Sequence, residues 1–98
     1  MALTYALLSP GDIARRIGKN SRSLRLSQNL SRKSLSLKAG VSESTIKRLE
    51  TSGQVSLDAL VLIASALGAT QHLLEIFTPN SPTTIQQIRQ PERVRGRK

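Results

Sequence analysis

The sequence predicts an all-α chain in which short helices pack into one small domain ahead of a basic tail. Three observations carry that expectation. Residues 30–50 read as two short helices joined by a tight turn at Gly40. Residues 56–68 place apolar side chains at helical spacing between a serine that can cap and a glycine that can stop the helix. The 98-residue chain carries 15 Lys and Arg against 6 Asp and Glu, a net charge of +9, and its cations are not spread evenly.

The elements follow in chain order. Residues 1–8 form a leading apolar segment, residues 9–77 the domain, and residues 78–98 a linker and tail. The leading segment is too short and lacks the basic flank of an export signal. With no membrane-length apolar run either, a cytoplasmic protein is expected. Ser9 caps and Pro10 opens a first helix running to about Leu26, with Ile13, Ile17 and Leu24 on its inner face and Gly18 weakening its middle. Ser31 caps a second helix whose Leu35, Ser36 and Ala39 share a face. The small Ser36 and Ala39 let another helix come close, and Gly40 can adopt the left-handed conformation that ends the helix cheaply. Ser42 caps a third helix. Its Ile46 and Leu49 turn inward with Val41, which leaves Glu43, Ser44, Lys47 and Arg48 on outward faces able to reach a DNA major groove.

A loop over residues 51–55 leads to a fourth helix, capped by Ser56, striped by Leu57, Leu60, Ile63, Ala64 and Leu67, and closed by Gly68. A fifth, from about Thr70 to Phe77, carries Leu73, Leu74, Ile76 and Phe77 almost all round, more apolar surface than one short helix can bury in its own domain. These four residues form a dimer surface, or Leu73 and Phe77 complete the core.

The turn at Ala39-Gly40-Val41-Ser42 and the following Thr45-Ile46-Lys47-Arg48-Leu49-Glu50 resemble the lambda-repressor-like, Cro/XRE-type helix-turn-helix family. The resemblance continues through Ser56-Leu57-Asp58-Ala59-Leu60 and Ile63-Ala64-Ser65-Ala66-Leu67-Gly68, so that most of residues 12–77 is covered. It implies a compact five-helix DNA-binding domain. It also implies an ion pair between Arg25 and Glu50 that braces the first helix against the end of the third. One departure stands at Arg32, where the family often carries a glutamine that contacts a base or phosphate.

Charge is segregated along the chain. From Arg15 to Arg48 the cations are Arg15, Arg16, Lys19, Arg22, Arg25, Arg32, Lys33, Lys38, Lys47 and Arg48, against Glu43 alone. Residues 49–88 contain no Lys or Arg, and Arg89, Arg93, Arg95, Arg97 and Lys98 then crowd the end. This divides the chain into a polyanion-facing half, a neutral to acidic half and a basic tail. The tail follows the linker composition of Thr78-Pro79-Asn80-Ser81-Pro82 and is too charged and too poor in apolar residues to fold alone, so it is expected to be disordered. A short helix-turn-helix domain with such an ending is similar to HipB-like antitoxins. That similarity implies repression of the chain's own operon and association with a HipA-type kinase toxin. A phosphate clamp on DNA is the other role open to the tail.

No catalytic constellation emerges. There is no cysteine, the carboxylates are dispersed, no glycine-rich phosphate loop is present, and His72 is the one histidine, placed in an apolar helix where partial burial is expected. Neither a metal nor a cofactor is expected. The candidate site is instead a DNA surface. Ser42, Glu43, Ser44 and Arg48 are the candidates for base edges, and Arg32, Lys33, Lys38, Thr45 and Lys47 the candidates for phosphates. The expected partner is double-stranded operator DNA bound by a homodimer, with no membrane and with association to the nucleoid through DNA. The other class of function is a protein-interaction module that neutralises a toxin or recruits another regulator.

Overall fold

The computed structural model describes residues 8–79. Among them lie five helices and no strand: α1 (Pro10–Ser27), α2 (Arg32–Ala39), α3 (Glu43–Ser52), α4 (Leu57–Ala66) and α5 (Thr70–Leu74). The expectations for the leading segment before residue 8 and for the basic tail beyond residue 79 fall outside the described residues.

Serines start four of these helices. Each hydroxyl accepts a backbone N–H of the first turn that has no partner within the helix: Ser9 from Asp12, Ser31 from Ser34, Ser42 from Thr45 and Ser56 from Ala59. At α1 the arrangement is reciprocal, because the Asp12 carboxylate accepts the Ser9 N–H in return. That contact, followed by the Arg15 guanidinium beside it, holds the Asp12 carboxyl below its ordinary range.

The core forms where α2, α3 and α4 meet. Leu35, Ala39, Ile46, Leu49, Ile63 and Leu67 are buried together, with Leu24, Leu30, Val41, Val55, Leu60 and Ala66 packed around them. Between α2 and α3, Gly40 stands at φ 78°, and the Ser36 hydroxyl donates to the Val41 carbonyl, so the turn is closed from both sides.

Several expectations need correction. Ile13 and Ile17 remain 46% and 45% exposed, and of the expected inner face of α1 only Leu24 reaches the core. The buried positions of α1 are Gly18 and Arg25. A Cβ on Gly18 would overlap the Leu49 carbonyl oxygen, so this glycine is the crossing point of α1 and α3 and not a weak spot of α1. Helix α3 runs on to Ser52, past the start of the expected loop, and Gly53 stops it at φ 78° with its backbone pressed on the Ala14 carbonyl.

Leu57 heads the stripe of α4 but stays 70% exposed, because no described element covers the first turn. Helix α5 ends at Leu74, three residues before Phe77. It has no side-chain cap, and after it the chain tightens into three-residue turns in which Glu75 and Ile76 donate to His72 and Leu73. His72 is exposed, Leu73 is half-buried, and Phe77 is 98% exposed at φ 66°. Phe77 therefore does not complete the core.

Candidate nucleic-acid interface

The third helix is locked from within. Ile46 and Leu49 are fully buried, and Glu50, one residue on, accepts from the Arg25 Nε at 2.7 Å and Nη2 at 3.0 Å. The remaining terminal nitrogen of Arg25 donates to the Leu30 carbonyl at 2.8 Å, so the planar fork is matched on three sides. Arg32, from the first turn of α2, donates its Nε to Glu50 at 3.0 Å. Burial by itself would raise the Glu50 carboxyl, but the hydrogen bonds from Arg25 and then Arg32 outweigh it and hold the group below its ordinary range. One carboxylate thus ties α1, α2 and α3 together at a single point.

With that inner face held, the opposite face of α3 is presented to solvent. Ser42, Glu43, Ser44, Lys47 and Arg48 are exposed, and Thr45 is half-buried. Helical spacing divides them into two rows, Ser44 with Arg48 and Glu43 with Lys47, each four residues apart. The Ser42 hydroxyl serves first as the cap and shares hydrogen bonds with the Ser44 and Thr45 hydroxyls at 3.1 and 2.8 Å. Arg48 is steered from its base, as Nε donates to the Gln54 carbonyl at 3.3 Å while no other hydrogen bond of this side chain occurs among the described residues.

The phosphate candidates are less uniform. Lys33 and Lys38 are exposed at opposite ends of α2. Five residues apart, they point about 140° away from each other around the helix and do not form one row. Arg32 is half-buried and already engaged by Glu50. The sequence pattern contained no sign of that bond, because Arg32 and Glu50 lie 18 residues apart. A further tie that sequence reasoning missed is Gln28, whose Nε2 donates to the Leu67 carbonyl at 2.8 Å and fastens the end of α1 to the end of α4.

A family model described as a helix-turn-helix, of the Cro/C1 or XRE type, matches residues 22–71. The chain belongs to this family. The match runs from within α1 into α5 and takes in both helices of the motif and the Gly40 turn between them. Members are DNA-binding regulators of transcription, and this chain is one by membership. A search of curated proteins found no match. No described helix is long and apolar enough to cross a membrane.

Proposed function

We propose that the chain is a sequence-specific, homodimeric repressor that acts by occupying operator DNA, including the promoter of its own operon. The observation that carries this reading is the exposed Ser44 and Arg48 row on a helix whose inner face is immobilised by Ile46, Leu49 and Glu50. A rigid helix with outward polar side chains can enter a major groove and hold a register there. Arg48 is suited to the two acceptors of a guanine edge, and Glu43 to a cytosine amino group. Lys33, Lys38 and Lys47 supply charge for phosphates, which set affinity and orientation without reading sequence. Arg32, whose Nε is already given to Glu50, and the half-buried Thr45 are the remaining phosphate candidates.

The dimer in this proposal is supported by the exposed apolar residues at and after α5. Leu74, Ile76 and Phe77 are 69%, 52% and 98% exposed and lie beside the half-buried Leu73. Pairing two copies through them would place two recognition helices one DNA turn apart, about 34 Å, on an inverted repeat. In the antitoxin form of this proposal, the basic tail at residues 89–98 holds a HipA-type kinase. The support for it is the composition of that tail.

Footprinting on the chain's own promoter tests the repressor reading. Arg48→Ala should lose about 1 to 3 kcal/mol on the protected site and relax discrimination at one base pair. Lys47→Ala should weaken cognate and scrambled duplexes alike. Equal losses on both duplexes for Arg48→Ala would remove the base-reading role.

A further inference from the structure

A second basic surface lies outside α2 and α3. Arg15, Arg16, Lys19 and Arg22 of α1, together with Asp12, Glu50 and Thr51, wall a groove of about 480 Å³. Its counter-charges are already used. Asp12 pairs with Arg15, and Glu50 is held by Arg25 and Arg32, so Arg16, Lys19 and Arg22 make no ion pair among the described residues. They are exposed at three-residue spacing, each turned about 60° from the one before, so they form a row that curves round the helix, with like charges near enough to repel and all three lining the same groove. Such a row is relieved when an anion with several charges lies along it.

The position of the groove identifies that anion. Thr51 sits one turn beyond Lys47 on α3, and its hydroxyl donates to the Lys47 carbonyl at 2.8 Å. Thr51 continues the Glu43 and Lys47 row of α3 at four-residue spacing and also lines the groove, so the outward row of α3 reaches it. All seven lining residues are charged or polar, with none of the apolar anchors on which a protein segment would dock. From Arg16 to Arg22 the helix rises about 9 Å, the axial length of two to three phosphates of one DNA strand at about 3.4 Å each.

We infer that this face of α1 grips the DNA backbone beyond the stretch addressed by α2 and α3, with Arg16, Lys19 and Arg22 each holding a phosphate. The inference rests on the reading that α3 enters the groove of operator DNA. The arginines offer paired donors to phosphate oxygens, and the lysine a point charge.

The test measures binding of the full chain to promoter duplex between 50 and 200 mM salt, for the wild type and for a variant with Arg16→Gln, Lys19→Gln and Arg22→Gln. Three lost contacts should flatten the log-log salt slope by about 2.7, so the affinity gap between the two proteins narrows roughly 40-fold over that range. The base preference that depends on Arg48 should persist, and phosphate ethylation at the flank of the footprint should cease to interfere. Circular dichroism checks that the variant keeps its helices. If it does not, the three single substitutions should each flatten the slope by about 0.9. A folded variant with the wild-type slope overturns this inference alone, as does one that binds DNA normally but loses an acidic peptide bound by the wild type. A wild-type chain with no footprint overturns the repressor reading and this inference with it.

Discussion

Glu50 and Gly18 show how much single positions carry in a domain of this size. The Glu50 side chain is 1% exposed, and removing its charge leaves Arg25 buried without a counter-ion. Glu50→Gln should therefore cost about 3 kcal/mol at neutral pH. Its pH dependence has a definite sign. The native carboxyl titrates below its unfolded value, so its contribution is full above the ordinary carboxylate range and fades as pH falls through the depressed native value. Urea unfolding between neutral and strongly acid pH should show a loss in the wild type that is smaller in Glu50→Gln. Parallel curves would mean that the bond carries no linkage. At Gly18 the sign of a substitution is the test. In an open helix Gly→Ala gains up to about 1 kcal/mol. Here the new methyl group meets the Leu49 carbonyl, so Gly18→Ala should destabilise by about 1 to 3 kcal/mol. A stabilised variant would show that α1 and α3 are less tightly crossed.

At the scale of elements, α5 is the least secured. It has five residues, no side-chain cap and no buried residue, and an exposed bulky residue at positive φ follows it. An isolated helix of that length does not persist in water, so its packing must come from α4 and from a covering surface. The apolar groove beside it, lined in part by Ile17, Leu60, Ile63 and Leu73, leaves Ile17 half-exposed for the same reason. If a second copy supplies that cover, Leu74→Asp or Ile76→Asp should give monomers by sedimentation and weaken binding to an inverted repeat far more than to a single half-site. Unchanged sedimentation with a symmetric footprint would place the dimer contact elsewhere.

For the whole molecule, the question is how its two blocks of positive charge divide the work. The first surrounds α1 to α3, and the second is the run of five cations after residue 88. Deleting residues 89–98 should keep the footprint boundaries while lowering affinity and flattening the salt slope by about 0.9 for each phosphate released. If the tail instead holds a protein partner, the slope stays at the wild-type value and the partner encoded beside the chain fails to co-purify with the truncated form. Measured on one truncation, the two results separate a DNA clamp from a capture segment.

Much of the fold was legible along the chain because the deciding forces act within one turn. Ser31, Ser42 and Ser56 could be recognised as caps, Gly40 as a left-handed stop, and Ile46 with Leu49 as an inward row, since each depends on neighbours no more than four residues away. The outward row of α3 follows from the same period. Periodicity carries no information about the distance between helices, and that distance settled the rest. Gly18 reads as a flaw in α1 until α3 lies across it, and Arg32 reads as a free cation until Glu50 comes within 3.0 Å. Ile13 and Ile17 read as core although the core closes on the α2 to α4 side. Arg16, Lys19 and Arg22 read as part of a polyanion-facing half, but only packing sets them in one groove beside Thr51. Local hydrogen bonds and side-chain period are properties of a segment, whereas burial and charge pairing belong to the assembled helices.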